Sequence, residues 1–220
     1  MILSVKLQML SAELLFAAAA LAGCASPEPR YYTLAPGPAI EAGAAPVSAQ
    51  GKEPLLIEVP PVRVPERLNR ANLLLEDGNG ALKVMEQDRW SAPLPDELRD
   101  ALSQELQASL GAVDIYHQGV SRVAPMYRIT VEVVRMDAGL GNRAAAIINW
   151  TVQRFPDRKL TSGQTQAELP TSGKVNSVVA AYQQIIVNTA GDIAAAIHTL
   201  PPLSQQQRTP GRENGVHISF

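Results

Sequence analysis

Apolar and polar positions change period several times along this chain, and each change marks an element. Tyr127, Ile129, Val131 and Val133 alternate with Arg128, Thr130 and Glu132, the period of a strand with one face buried. Ile148, Trp150 and Val152 alternate with Asn149, Thr151 and Gln153, which predicts the partner strand of a hairpin. Asp137 to Asn142, with Gly139 and Gly141, reads as the turn between them. A different period rules Ser91 to Leu110. There Leu98, Leu102, Leu106 and Leu110 recur every fourth residue with Ala101 alongside, predicting an amphipathic helix of about four turns. Pro95 suits its first turn, Asp96 and Glu97 suit the positive end of its dipole, and Gly111 ends it. Val175 to Leu200 predicts a second helix, through Val178, Val179, Tyr182, Ile185, Ile186, Ile193 and Ile197. Asp192 interrupts its apolar surface, and Pro201-Pro202 stop it.

Shorter signals fill the rest. Tyr31 to Leu34 favours a short strand. Leu55, Ile57 and Val59 alternate before Pro60-Pro61, which cannot donate to a ladder and so mark an edge or a bend, and Val62 and Val64 follow. Asn72–Glu76 and Ala81–Glu86 flank Asp77-Gly78-Asn79-Gly80, whose residues accept positive φ, and predict a second hairpin. Thr161 to Glu168 is polar and β-compatible, suited to a sheet edge. This order predicts an α+β fold in a single domain. Its antiparallel or mixed β-sheet carries both amphipathic helices on one face. The expected domain spans residues 55–203. The Ala/Pro/Gly-rich stretch from Ala35 to Pro54 reads as a mobile loop, and residues 204–220 read as a disordered tail.

The amino terminus carries a different message. Leu14 to Ala22 is an apolar run far shorter than the ~20 residues of a membrane-spanning helix. It suits the central region of a signal peptide, although Lys6 is the only basic residue before it and Glu13 lies at its edge. Leu21-Ala22-Gly23-Cys24 follows and resembles the bacterial lipobox, in which small residues admit the backbone to a narrow peptidase site. That resemblance implies removal of residues 1–23, a diacylglyceryl thioether on Cys24, and acylation of the new amino terminus by a fatty acid such as palmitate. Residues 24–54 then form the lipidated cysteine, a short strand and the loop. Each buried methylene of the acyl chains contributes about 0.8 kcal/mol, so several chains anchor stably. Ala25 rather than Asp follows the cysteine, which by the sorting rule of such proteins favours the outer membrane.

Composition narrows the function. The net charge of −2 gives no footprint for nucleic acid or for anionic lipid. The single cysteine excludes an intrachain disulfide. His117, His198 and His217 are not at metal-ligand spacing, so no metal or cofactor is expected. No nucleophile elbow, P-loop or dinucleotide fingerprint is present, and no catalytic residue is assigned. Asp77 to Gly80 superficially matches a calcium loop but lacks the third acidic ligand and has Asp88 where Glu is required. Asn149-Trp150-Thr151 matches a glycosylation sequon in the middle of a predicted strand and is discounted. In Asp88-Arg89-Trp90, Trp90 is expected to pack at the start of the first helix while Asp88 and Arg89 stay solvated.

Five segments taken together resemble the PqiC-type family of ABC-type transport auxiliary lipoproteins. They are Tyr31-Tyr32-Thr33-Leu34, the stretch from Ile57 through Val64-Pro65-Glu66-Arg67-Leu68, Arg89-Trp90-Ser91-Ala92-Pro93-Leu94, Tyr127-Arg128-Ile129-Thr130-Val131, and Ala146 to Trp150 with the helix around Tyr182. The chain departs from the family at Arg135-Met136-Asp137, where an aromatic is usual before the turn, and in the short Pro156 to Thr161 segment. The resemblance implies a non-enzymatic subunit on the periplasmic face of the outer membrane. There it docks an MCE-domain protein, a lipid-conducting tube or ring of the periplasm, and supports phospholipid movement and membrane integrity. Cys24 is the one functional position it carries over. It leaves phospholipid contact by the domain and homo-oligomer formation open. Two other classes compete. One is an envelope lipoprotein that binds or regulates a cell-wall synthase or outer-membrane assembly machinery, and the other is a lipid-anchored hydrolase.

Overall fold

The clearest alternation in the sequence forms the centre of the molecule. In a computed structural model, which describes residues 27–35, 54–118, 126–140 and 143–203, strands β6 (Met126–Ala138) and β7 (Arg143–Phe155) pair antiparallel with Val131 opposite Trp150. Both strands outrun the pattern that predicts them. The register shifts between Val133 and Arg135, and Met136 and Ala138 then lie opposite Ala146 and Ala144. The predicted turn therefore starts later, where the Gly139 amide donates to the Arg143 carbonyl at 3.0 Å. A bulge here keeps Met136 and Ala138 on the buried face while Val134 and Arg135, two consecutive residues, stay exposed.

Strand β8 (Leu160–Pro170) pairs with β7 at the edge of the sheet, as its polarity predicts. Gly163 lies opposite Trp150, and a Cβ there would fall 2.3 Å from the indole ring, so only glycine fits. On the far side, β2 (Leu55–Glu58) pairs parallel with β6 and also with β5 (Ala112–Asp114). The five-stranded order is β5-β2-β6-β7-β8. Strand β2 is thus internal, and Pro60-Pro61 mark a bend rather than an edge. Beyond them the chain returns to β6, with the Arg63 amide donating to Val131 at 3.1 Å and the Val133 amide to Arg63 at 2.8 Å. Strand β5 has no counterpart in the sequence reading. It follows directly on Gly111, whose left-handed φ of 59° turns the chain out of the first helix.

The single expected sheet is in fact two. Strands β1 (Arg30–Tyr32), β4 (Leu82–Trp90) and β3 (Asn72–Glu76) form a second sheet in the order β1-β4-β3, with β1 parallel to β4. The β3–β4 hairpin turns as predicted, with Gly78 and Gly80 at positive φ and the Asp77 carboxylate accepting from the Asn79 amide at 2.9 Å. The sheets meet at a bridge between Glu76 and Gly139. Helices α1 (Leu94–Leu110) and α2 (Val175–Thr199) pack against each other, and α2 covers β7 and β8. Leu98, Leu102, Leu106, Ile185 and Ile193 share one core with Ile129, Val131, Val152 and Leu73, so both sheets and both helices bury their apolar faces together. At about 1.5–3 kcal/mol per buried aliphatic side chain this core dominates stability. The α+β class stands. No helix among the described residues is long and apolar enough to cross a membrane. Residues 1–23, Cys24, most of the Ala35–Pro54 loop and residues 204–220 lie outside the described residues.

Candidate functional site

Polar side chains in this fold are of two kinds, locked and open. The locked ones begin with Asp88. It is 1% exposed, not solvated as the sequence suggested, because β4 runs on to Trp90 and turns Asp88 to the inner face. Its carboxylate accepts from Arg30 and from the Tyr32 hydroxyl, each at 2.9 Å. Burial, then the bond to Asp88, pushes the Tyr32 hydroxyl's pKa above its ordinary value. Trp90 is buried beside the start of α1, as expected. Glu97 does more than suit a helix dipole. It is buried, accepts from the Thr33 hydroxyl and the Leu34 amide at 2.8 Å each and from the Ala92 amide at 3.1 Å, and also bonds Ser91. One carboxylate thereby ties the exit of β1 to the start of α1. Arg99 on α1 pairs with Asp114 on β5, which also accepts from Ser103 at 2.7 Å. These groups are spent on holding elements together.

The open kind gathers where the two sheets meet. The β3–β4 hairpin, the turn Glu66–Leu68 and the bulged end of β6 enclose a groove of about 360 Å³. Leu68, Leu74, Leu82, Val134 and Ile147 supply its apolar surface. Leu82 and Val134 are each 47% exposed, so water meets large aliphatic groups at the mouth. Two cations and two anions also line it: Arg67, Arg135, Glu76 and Asp137. Arg135 pairs with Asp137, which Arg143 also approaches at 3.5 Å. That pair holds the Arg135 guanidinium more firmly protonated. The Arg67 guanidinium and the Glu76 carboxylate form no ion pair among the described residues. Glu76 acts on Arg135 only from beyond ion-pair range.

Sequence reasoning singles out none of these residues as a site. Arg67 and Leu68 fall in one of the family-like segments, and Arg135-Met136-Asp137 is the departure from it. The one local signal is the doublet Val133-Val134, which breaks a strict alternation and marks the bulge. Of the positions considered from sequence, Cys24 and His217 lie outside the described residues, while His117 and His198 are exposed on separate elements. No group of three or more His, Cys, Asp or Glu gathers among the described residues in a way that could hold a metal ion. Chemically, the groove can hold an amphiphile against apolar walls with charges of both signs nearby.

The described residues thus form an α+β scaffold with locked polar contacts and an open amphipathic groove. The chain belongs to the family of ABC-type transport auxiliary lipoprotein components, whose model matches residues 32–194. Among solved structures it is similar to an uncharacterized protein at 17% identity and a TM-score of 0.60, over 78% of this chain and 99% of that one. It is also similar to a Xanthomonas campestris protein assigned to the DUF330 family, at 19% identity and a TM-score of 0.50, over 66% of this chain and 83% of that one. At these identities the likeness shows the fold. No curated protein matches the chain. The family is one of auxiliary transport lipoproteins and not an enzyme class.

Proposed function

We propose that this chain is the outer-membrane lipoprotein of an MCE-type intermembrane phospholipid transport system and docks the periplasmic MCE-domain protein. Residues 1–23 direct export and are removed, and acyl chains on Cys24 hold the domain to the periplasmic face of the membrane. The observation that carries this reading is the family match over residues 32–194, which makes the chain an accessory to transport. The test is mass spectrometry of what co-purifies with the tagged chain from gently solubilised envelopes. An MCE-domain protein in the eluate is the expected result. An eluate dominated by cell-wall synthases or outer-membrane assembly factors would move the function to that second class. Cys24→Ala is expected to leave the chain uncut and absent from outer-membrane fractions.

A further inference from the structure

We infer that the groove between the β3–β4 hairpin and the bulged end of β6 binds a single phospholipid with a zwitterionic headgroup, of the phosphatidylethanolamine type. This deepens the transport reading and rests on it for the origin of the ligand. The chemistry comes from the lining. Its two cations and two anions sum to zero, which suits a neutral zwitterion better than an anionic or cationic lipid. Within that set the Arg135–Asp137 pair is already satisfied, leaving one guanidinium, Arg67, and one carboxylate, Glu76, without ion-pair partners among the described residues. A phosphodiester takes the first and a primary ammonium the second, each through charge-assisted hydrogen bonds. No lining residue is aromatic, so the groove has no cage for a quaternary ammonium, which argues for ethanolamine over choline. Leu74, Leu82 and Val134 then meet the first part of an acyl chain, which explains why large aliphatic side chains are left facing water there.

A peptide strand fits less well. Adding a strand needs a free sheet edge, and at the groove the edge of β3 is bridged at Glu76 to Gly139, beyond the end of β6. The occupant must be recognised by side chains, within about 360 Å³.

The experiment is native mass spectrometry of the full chain released from maltoside micelles, with dihexanoyl phosphatidylethanolamine, phosphatidylcholine and phosphatidylglycerol offered at equal concentration. The ethanolamine lipid is expected to bind about tenfold more tightly than the other two. Arg67→Gln should weaken all three. Glu76→Gln should remove the preference for ethanolamine over glycerol. Both positions are at least partly exposed, and unchanged thermal melting confirms that the variants fold. Val134→Asp, at the apolar mouth, is a second test and should lower binding of every lipid. Equal binding of the three lipids, or indifference to Arg67→Gln and Glu76→Gln alike, overturns the inference. So does a photo-cross-linker at position 134 that captures protein but no lipid in intact envelopes. The two readings fail separately. Without lipid binding but with an MCE-domain protein still co-purifying, the groove inference falls and the transport reading stands. Ethanolamine-lipid binding without such a partner supports the groove and removes the MCE-docking assignment.

Discussion

The two ends of β6 and β7 are built to opposite rules. Under α2, every second residue of β7 from Ala144 to Arg154 is buried, and the polar groups there are matched: the Trp150 indole donates to Thr165, whose hydroxyl donates to Asp192 at 2.6 Å, and Arg154 pairs with Asp157 at 2.7 Å. At the hairpin end, aliphatic groups face water, and one cation and one anion lack ion-pair partners among the described residues. A folded chain gains nothing in stability from the second arrangement, because exposed apolar area and unpaired charge both forgo what burial and pairing supply. What distinguishes the regions is therefore their role. Changes in the covered region should read out as stability, and changes in the groove should read out as binding.

The largest expected break lies at Arg99 and Asp114, whose side chains are 9% and 3% exposed. Asp114→Ala leaves a buried guanidinium with the half-exposed Asp100, the Val59 carbonyl and the Tyr116 ring as its remaining partners among the described residues. It should cost about 3 kcal/mol in urea unfolding and leave lipid selectivity unchanged. Gly163→Ala comes next. The new methyl forces the Trp150 ring to move and with it the bond to Thr165, at a cost of about 2 kcal/mol, read by thermal melting and near-ultraviolet circular dichroism.

This contrast also explains what could be seen in the sequence. Both helices and the β6–β7 hairpin announce themselves because their partners are local and their periods long. The three-residue strand β5 does not, since so short a run carries no measurable alternation. Asp88, Glu97 and Asp114 look like ordinary surface acids, and only contacts 11 to 64 residues away make them structural. The groove was illegible for the same reason. It joins residues 67 to 82 with residues 134 to 147, and the register shift that places Val134 on its wall is set by pairing with β7. The lipobox, by contrast, is a local motif, legible only as sequence because Cys24 is outside the described residues.

A smaller effect separates the regions by pH. The Arg154 guanidinium holds the Asp157 carboxyl below its ordinary value of 3.8. A carboxylate depressed in this way contributes stability that is fully present above 3.8 and is lost as pH falls through the lower folded value. Asp157→Asn should thus cost about 1.5 kcal/mol at pH 7, and variant and wild type should converge as pH falls through that lowered value. Urea unfolding followed from pH 7 down to the acid limit of folding checks the convergence. A gap that persists at the lower pH would mean the amide disturbs packing rather than charge.

The finest test compares two adjacent residues of the same kind. Val133 is 2% exposed and lies in the shared core, while Val134 is 47% exposed and faces the groove. Intrinsic strand preference is the same for both, so any difference between them comes from surroundings. Val133→Ala opens a cavity in the shared core and should cost about 2 kcal/mol. Val134→Ala removes two methyl groups that touch little else and should change stability by less than about 0.5 kcal/mol. The order should reverse for binding: Val134→Ala should weaken the ethanolamine lipid several-fold, and Val133→Ala should not once the protein is folded. Equal effects of the two substitutions on binding would erase the division between covered core and open groove. A stability loss at Val134 as large as that at Val133 would show the groove to be part of the core. The bulge would then serve packing alone.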